Sequence, residues 1–288
     1  MEKIKVFTDS ASDISFENEK NLNIEMMNFS IAMGDKSYIS RIDFDSDRFY
    51  ELMEEYDGIP MTSQITAYQF QEMYEKYYNE GYTDLIGILI NREGSATYDN
   101  SLMAYNLFLE EHPEAADKFR VHSIDSRTYS GGYGYAVVEA AKMVGEGKSV
   151  EEILAFVHDW IDHNVIYFVP YSLKYAGKSG RIPSAAALVG DKLGIKPAMR
   201  IYDHEISTAF TIRGEKRVVK KIAEKVVSEM KNGTPYVVVY GNDPVVRDQM
   251  IDELTGLLGY GPTDTYQIGA AVAANAGPRV VGAIFQEK

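Results

Sequence analysis

Asp84–Ile90 (DLIGILI) is a near-continuous apolar run, the signature of a strand buried on both faces of a sheet. A sheet covered on both sides needs helices to cover it. The chain supplies them in alternation with further apolar runs. Ile4–Thr8 (IKVFT) reads as a first strand, and Asn23–Asn28 with Ser30–Met33 as a second extended region. Ser46–Tyr56 carries apolar residues at helical spacing and stops before Gly58-Ile59-Pro60, while Ala67–Glu80 forms a helix that stops at Gly81. The spacing predicts a helix over Tyr98–Glu111, a strand over Arg120–Ile124, and helices over Gly131–Glu146 and Val150–His163. Strand–loop–helix in this repeated order implies a parallel sheet.

The pattern changes near residue 164. Val165–Val169, Lys196–Tyr202, Glu205–Ile212, Tyr236–Tyr240, Thr265–Ile268 and Val280–Gln286 read as strands, with long helices only near Arg217–Lys231 and Val245–Leu257. More strand per helix predicts a mixed sheet with helices on one face. The expected organisation is therefore an α/β protein of two domains, residues 1–164 and 165–288, with no repeat and no low-complexity tract.

Composition narrows the function classes. The absence of cysteine removes disulfides, thiolate metal sites and thiol nucleophiles. A formal net charge of −14 disfavours nucleic acid, whose phosphates require Lys and Arg, and adsorption on anionic membranes. The basic stretch Lys216–Lys225 reads as a solvated helix face or a binding patch. Met1–Phe7 reads as a strand start rather than a signal peptide, and no apolar run approaches the ~20 residues of a membrane span. A cytoplasmic protein without stable membrane insertion is the expectation.

Four polar or glycine-rich loops follow predicted strands, which is where open α/β sheets bind ligands. Thr8–Asp13 (TDSASD) offers small hydroxyls and carboxylates that either cap the next segment or touch a ligand. Met61–Gln64 (MTSQ) precedes the helix near Ala67, so Thr62 and Ser63 sit where an anion can meet backbone N–H groups, or where an ordinary N-cap is needed. Asn91–Tyr98 (NREGSATY) places Arg92 at a strand end, able to grip a carboxylate or to pair with a nearby acid. Asp125–Gly134 (DSRTYSGGYG) resembles a phosphate turn in outline but fits neither the dinucleotide nor the phosphate-loop pattern. In the second half, Lys178–Pro183 sets Arg181 beside a glycine between two helices, and Asn275-Ala276-Gly277-Pro278 precedes the last strand.

Catalytic patterns are missing. There is no G-x-S-x-G elbow, and His158 and His163, five apart on a helix, point about 140° away from each other. No metal site, cofactor site or catalytic constellation is expected.

These same loops resemble those of the DegV family. The matching segments are Val6–Ile14, Met61–Gln64, Ile90–Tyr98, Val121–Gly134, Ser172–Pro183, Leu193–Pro197 and Asn275–Gly282, in family order over almost the full length. The resemblance implies an N-terminal three-layer α/β/α domain with a parallel sheet and a C-terminal two-layer α/β domain with a mixed sheet. It also implies a long-chain fatty acid in an apolar tunnel between them, carried rather than transformed, and presented to a separate fatty acid kinase subunit. Thr62, Ser63, Ser95 and Thr97 are then the neutral carboxylate donors and Arg181 the charge. The family usually has two serines where Asn91 and Arg92 stand, a histidine at Asn275 and Gly-Gly at Ser179-Gly180. Those positions are where this chain's head-group site differs. The alternatives are an enzyme for a small anionic substrate, worked by Asp9, Asp13, Asp125 and the Gly131–Gly134 turn, and a regulatory binding protein whose ligand site has decayed.

Overall fold

The computed structural model describes residues 2–181 and 194–288. In chain order the first half contains β1 (Ile4–Asp9), α1 (Phe16–Asn21), β2 (Glu25–Met27), β3 (Ser30–Met33), β4 (Lys36–Ile39), α2 (Ser46–Glu55) and β5 (Met61–Ser63). It continues through α3 (Ala67–Asn79), β6 (Asp84–Leu89), α4 (Thr97–Glu111), β7 (Arg120–Asp125), α5 (Gly131–Gly145) and α6 (Val150–His163). The second half contains β8 (Asn164–Pro170), α7 (Leu173–Ser179), β9 (Ile195–Tyr202), β10 (Glu205–Arg213), α8 (Val218–Glu229) and β11 (Tyr236–Tyr240). It closes with α9 (Pro244–Leu258), β12 (Asp264–Gln267), α10 (Ala270–Ala276) and β13 (Val280–Gln286). Most boundaries lie within a residue or two of those read from the sequence. The helix expected after Pro183, and Ile182, Pro183 and Leu193 of the matched segments, lie outside the described residues.

The first sheet is parallel, in the order β2-β1-β6-β7. Every residue of β6 is buried, as its unbroken apolar sequence requires. Gly87 within it leaves room for a neighbour: a Cβ there would lie 2.0 Å from the Phe7 ring. Phe7 in turn meets Phe70 and Tyr74 of α3 edge-on, at centroid distances of 6.1 and 6.2 Å. Helices α3 and α4 cover this face and α5 and α6 the other, giving three layers.

The second sheet is mixed, in the order β10-β9-β8-β13-β11-β12, with only β11 and β12 parallel. Its central strands alternate. Val165, Tyr167, Val169, Val238, Val281 and Phe285 face α8 and α9. Ile166, Phe168, Met199, Ile201, Val237 and Val239 join the core shared with the first half. A period of two on a sheet buried on both sides makes each face a separate hydrophobic surface.

Helix α5 fills the space between the two sheets, and its glycines explain how. A Cβ on Gly134 would lie 2.2 Å from the Ser12 carbonyl oxygen, and one on Gly132 2.9 Å from Ile166 of β8. The Gly131–Gly134 segment that resembles a phosphate turn is thus the buried start of a helix pressed against backbone on one side and a second sheet on the other.

Several elements depart from the sequence reading, which assigns nothing to α1 or β4. Met61–Ser63 is a strand of a small antiparallel sheet, order β4-β3-β5, rather than a helix cap. The cap of α3 is Thr66, which forms a capping box with Gln69. Helix α10 went unassigned, because an alanine-rich segment apolar on every side has no helical period to read. No helix among the described residues is long and apolar enough to cross a membrane.

Candidate ligand-binding site

Between the loops that follow the parallel strands and the inner face of the second sheet lies a cavity of about 480 Å³. This is within the ~300–1,000 Å³ of small-molecule sites. Its apolar wall is built by alternation: Ile166 and Phe168 of β8, Ile201 of β9 and Val239 of β11 all point inward. Ala271, Val272 and Ala276 of α10 extend that wall. The polar part of the lining includes Thr62, Gln64, Ser95, Tyr129, Arg181 and Asn275.

Of the residues chosen from sequence, Thr62, Arg92, Ser95, Arg181 and Asn275 line the cavity. Ser63 does not. It follows Thr62 on β5, where successive side chains point to opposite faces, and is exposed. Gln64, two residues beyond Thr62, returns to the cavity side, a periodicity that the sequence already contained.

Thr97 stands one layer behind the cavity. It is fully buried, 2.9 Å from Ser95 Oγ through Oγ1, which also accepts from the Ile65 N–H at 3.4 Å. Thr97 thus touches Ser95 and is not part of the cavity lining. Arg92 is half-exposed and pairs with Asp99 at 2.9 Å, the ion-pair alternative rather than a direct grip on a buried anion. Asn275 lines the cavity while its amide Nδ2 donates to the Ala271 carbonyl at 2.9 Å, one turn back.

Asn91 is also fully buried, and all its polar atoms are engaged. Nδ2 donates to Tyr129 Oη (3.1 Å) and to the His204 carbonyl (3.0 Å). Oδ1 accepts from the Glu93 N–H at 3.1 Å and lies 2.8 Å from His204 Nδ1. His204 is 113 residues away at the turn between β9 and β10, so Asn91 joins the two halves of the molecule.

Helix α4 begins at the cavity. Its N-cap, Ala96, makes no side-chain cap, and Ser95, Ala96 and Asp99 all line the space. Such a helix start favours negative charge through its unpaired N–H groups. The start of α3, closed by its capping box, has no such opening.

The loop after β1 is wired internally. Asp9 accepts from the Ile90 and Ala11 N–H groups at 2.7 and 3.0 Å and from the Tyr133 hydroxyl at 2.6 Å. Asp13 accepts from Ser130 Oγ at 2.6 Å and from the Gly269 N–H at 2.8 Å. Burial pushes Asp9 up to about 6 and Asp13 up to about 7, against the opposing pull of those hydrogen bonds. Asp125 accepts from the backbone N–H groups of Arg92 and Arg127 at 3.1 and 3.0 Å. Among the described residues one group has metal-ligand chemistry, Glu75, Glu111 and His112. It lies at the opposite end of α4 from the cavity, roughly 20 Å along the helix.

Residues 3–288 match the family model described as "Uncharacterised protein, DegV family". The chain belongs to the DegV family. A DegV domain-containing protein of Clostridium perfringens is 32% identical over 79% of this chain and 78% of its own length. Another, from Caldanaerobacter subterraneus, is 30% identical over 100% of both. Solved DegV-fold structures superpose along the whole chain. A stearic acid-binding protein from Eubacterium ventriosum has a TM-score of 0.88 at 22% identity, covering 99% of this chain and 98% of its own. DegV of Bacillus subtilis, described as a fatty acid binding protein, has a TM-score of 0.83 at 23% identity, with full coverage of both chains. The two-domain α/β architecture of DegV proteins is thus the architecture of this chain.

Proposed function

We propose that this protein binds a long-chain fatty acid in the cavity between its two domains and carries it, presenting the carboxylate to a separate fatty acid kinase subunit. The observation that carries this reading is the composition of the cavity wall. Inward apolar side chains of the second sheet face a group of hydroxyls and two arginines, Arg92 and Arg181, from the loops around it. Each methylene buried there contributes roughly 0.8 kcal/mol, so an alkyl tail dominates affinity. A carboxylate removed from water needs several donors, and on this reading the cavity-lining Thr62, Ser95 and Arg181 supply them. The fold shared with fatty-acid-binding DegV proteins supports the same ligand. Half-exposed Arg92 and Asp99 belong to the lining, so the polar part of the cavity reaches the surface where a second protein can meet it. We divide the domains at the junction of α6 and β8, as 1–164 and 165–288.

The carboxylates of Asp9, Asp13 and Asp125 are held by backbone and hydroxyl donors, and the reading in which they work on a small anionic substrate draws no support from that geometry. Extraction of purified protein into organic solvent followed by mass spectrometry tests the ligand. A long-chain acid at near-stoichiometric amount is expected. Its consistent absence, together with no binding of added acid by delipidated protein, overturns the proposal. Phosphorylation of the bound acid by a purified fatty acid kinase subunit with ATP tests the partner separately.

A further inference from the structure

Tyr129 lines the cavity, and its hydroxyl is already an acceptor, taking a hydrogen bond from Asn91 Nδ2 at 3.1 Å. The direction of that bond is fixed. A primary amide has two N–H donors and a carbonyl acceptor. The second N–H of Asn91 meets the His204 carbonyl at 3.0 Å, which can only accept. Asn91 Oδ1 takes the Glu93 N–H and faces His204 Nδ1. The amide therefore cannot be turned around, and Tyr129 must place its own proton elsewhere. Among the described residues no acceptor meets it.

Two further observations concern the same hydroxyl. A Cβ on Gly94 would lie 2.6 Å from Tyr129 Oη, so glycine at 94 leaves the space that the phenol occupies. Burial raises the Tyr129 pKa, which keeps the phenol protonated and a donor. The support under Asn91 is itself rigid. Asp203 and His204 both have positive φ, 43° and 72°, in the tight turn between β9 and β10. That turn is bound to the first domain through His204 N–H to the Arg127 carbonyl at 3.0 Å and Arg127 to Asp203 at 2.9 Å.

We infer that Tyr129 is a head-group donor of this site, giving its phenolic proton to the carboxylate of the bound fatty acid. The inference rests on the fatty-acid reading above and assigns to it a residue outside the Ser/Thr set. A neutral phenol satisfies a carboxylate oxygen without burying a further cation, and it distinguishes an acid from an ester of the same tail.

Delipidated wild type, Tyr129→Phe and Gly94→Ala are titrated with stearic acid and with methyl stearate. Tyr129→Phe is expected to bind the acid about ten- to a hundredfold more weakly, the effect of losing one hydrogen bond to a charged group, with the ester changed by less than about threefold. Gly94→Ala, which displaces the hydroxyl without deleting it, is expected to lower acid-over-ester preference in the same direction, and it carries the test if Tyr129→Phe does not fold. Wild-type affinity for the acid in Tyr129→Phe, or equal losses for acid and ester in both variants, overturns the assignment while leaving fatty acid binding intact. A wild type that binds neither ligand overturns the fatty-acid reading and this assignment together.

Discussion

The Gly269 backbone N–H donates to Asp13 Oδ1 at 2.8 Å, joining the loop after β1 to the residue that precedes α10. The other oxygen of Asp13 takes the Ser130 hydroxyl at the start of α5. One buried carboxyl group thus holds the beginnings of two helices that lie between the sheets.

That group makes stability depend on pH. Asp13 is raised to about 7 and Asp9 to about 6, whereas an unfolded aspartate titrates near ~3.9. Between about pH 4 and 7 the folded chain binds more protons than the unfolded one, so stability falls as pH rises through that window and levels off above it. Asn at position 13 retains an acceptor for Gly269 and can donate to Ser130. Asp13→Asn should flatten the fall by a few kcal/mol, at most ~4 for a shift of this size. Urea midpoints for both proteins at pH 5, 6, 7 and 8 measure it. Parallel curves would remove Asp13 as the cause.

Thr62→Ala should weaken fatty acid binding by ~1–3 kcal/mol, because a buried carboxylate loses a donor. Ser63→Ala should leave affinity unchanged, since its side chain is on the exposed face of β5. Calorimetric titration of the two variants side by side makes the strand's alternation visible in binding constants. Equal losses would mean that β5 presents both hydroxyls.

Glycines at the two ends of α5 should respond in opposite directions. Gly134→Ala forces a methyl group towards the Ser12 carbonyl, 2.2 Å from its ideal position, and should cost ~3 kcal/mol or more through displaced backbone. Gly145→Ala meets no heavy atom within 4 Å and should stabilise by ~0.5–1 kcal/mol through helix propensity. Guanidinium denaturation separates them.

Arg92→Ala should lower stability by less than ~1 kcal/mol, because the pair with Asp99 is half-exposed and screened. Its effect on acyl affinity should be smaller than that of Thr62→Ala. A larger loss would show that the guanidinium leaves Asp99 for the ligand.

Legibility of this fold followed the range of the forces involved. Helix α6 was readable to both ends, since Ser149 and Glu152 form a capping box and the apolar positions repeat at helical spacing. Most strands of the second sheet were readable as short apolar runs, the mark of strands buried on both faces. Thr62 is legible as a residue of the cavity lining, whereas a helix start at Met61–Gln64 groups Ser63 with it and the strand β5 separates the two. Asn91 counts as a head-group residue because it stands where the family usually has a serine. Its actual partners are set by His204 in a distant turn, and no local signal encodes a contact 113 residues away. Tyr129 lies in a segment whose local signal is its glycines, and only the fold brings Asn91 and Gly94 beside its hydroxyl.

Helix α5 is a wall common to both sheets, pressed on one side against Ser12 and on the other against Ile166 and Tyr266. Clamshell proteins exchange ligands by swinging two lobes about a flexible joint, with a water-filled gap between them. Here the helix has no water-filled gap on either side, so parting the two sheets would strip α5 of one of its packed faces, and the resistance to such opening resides in the close contacts its glycines permit.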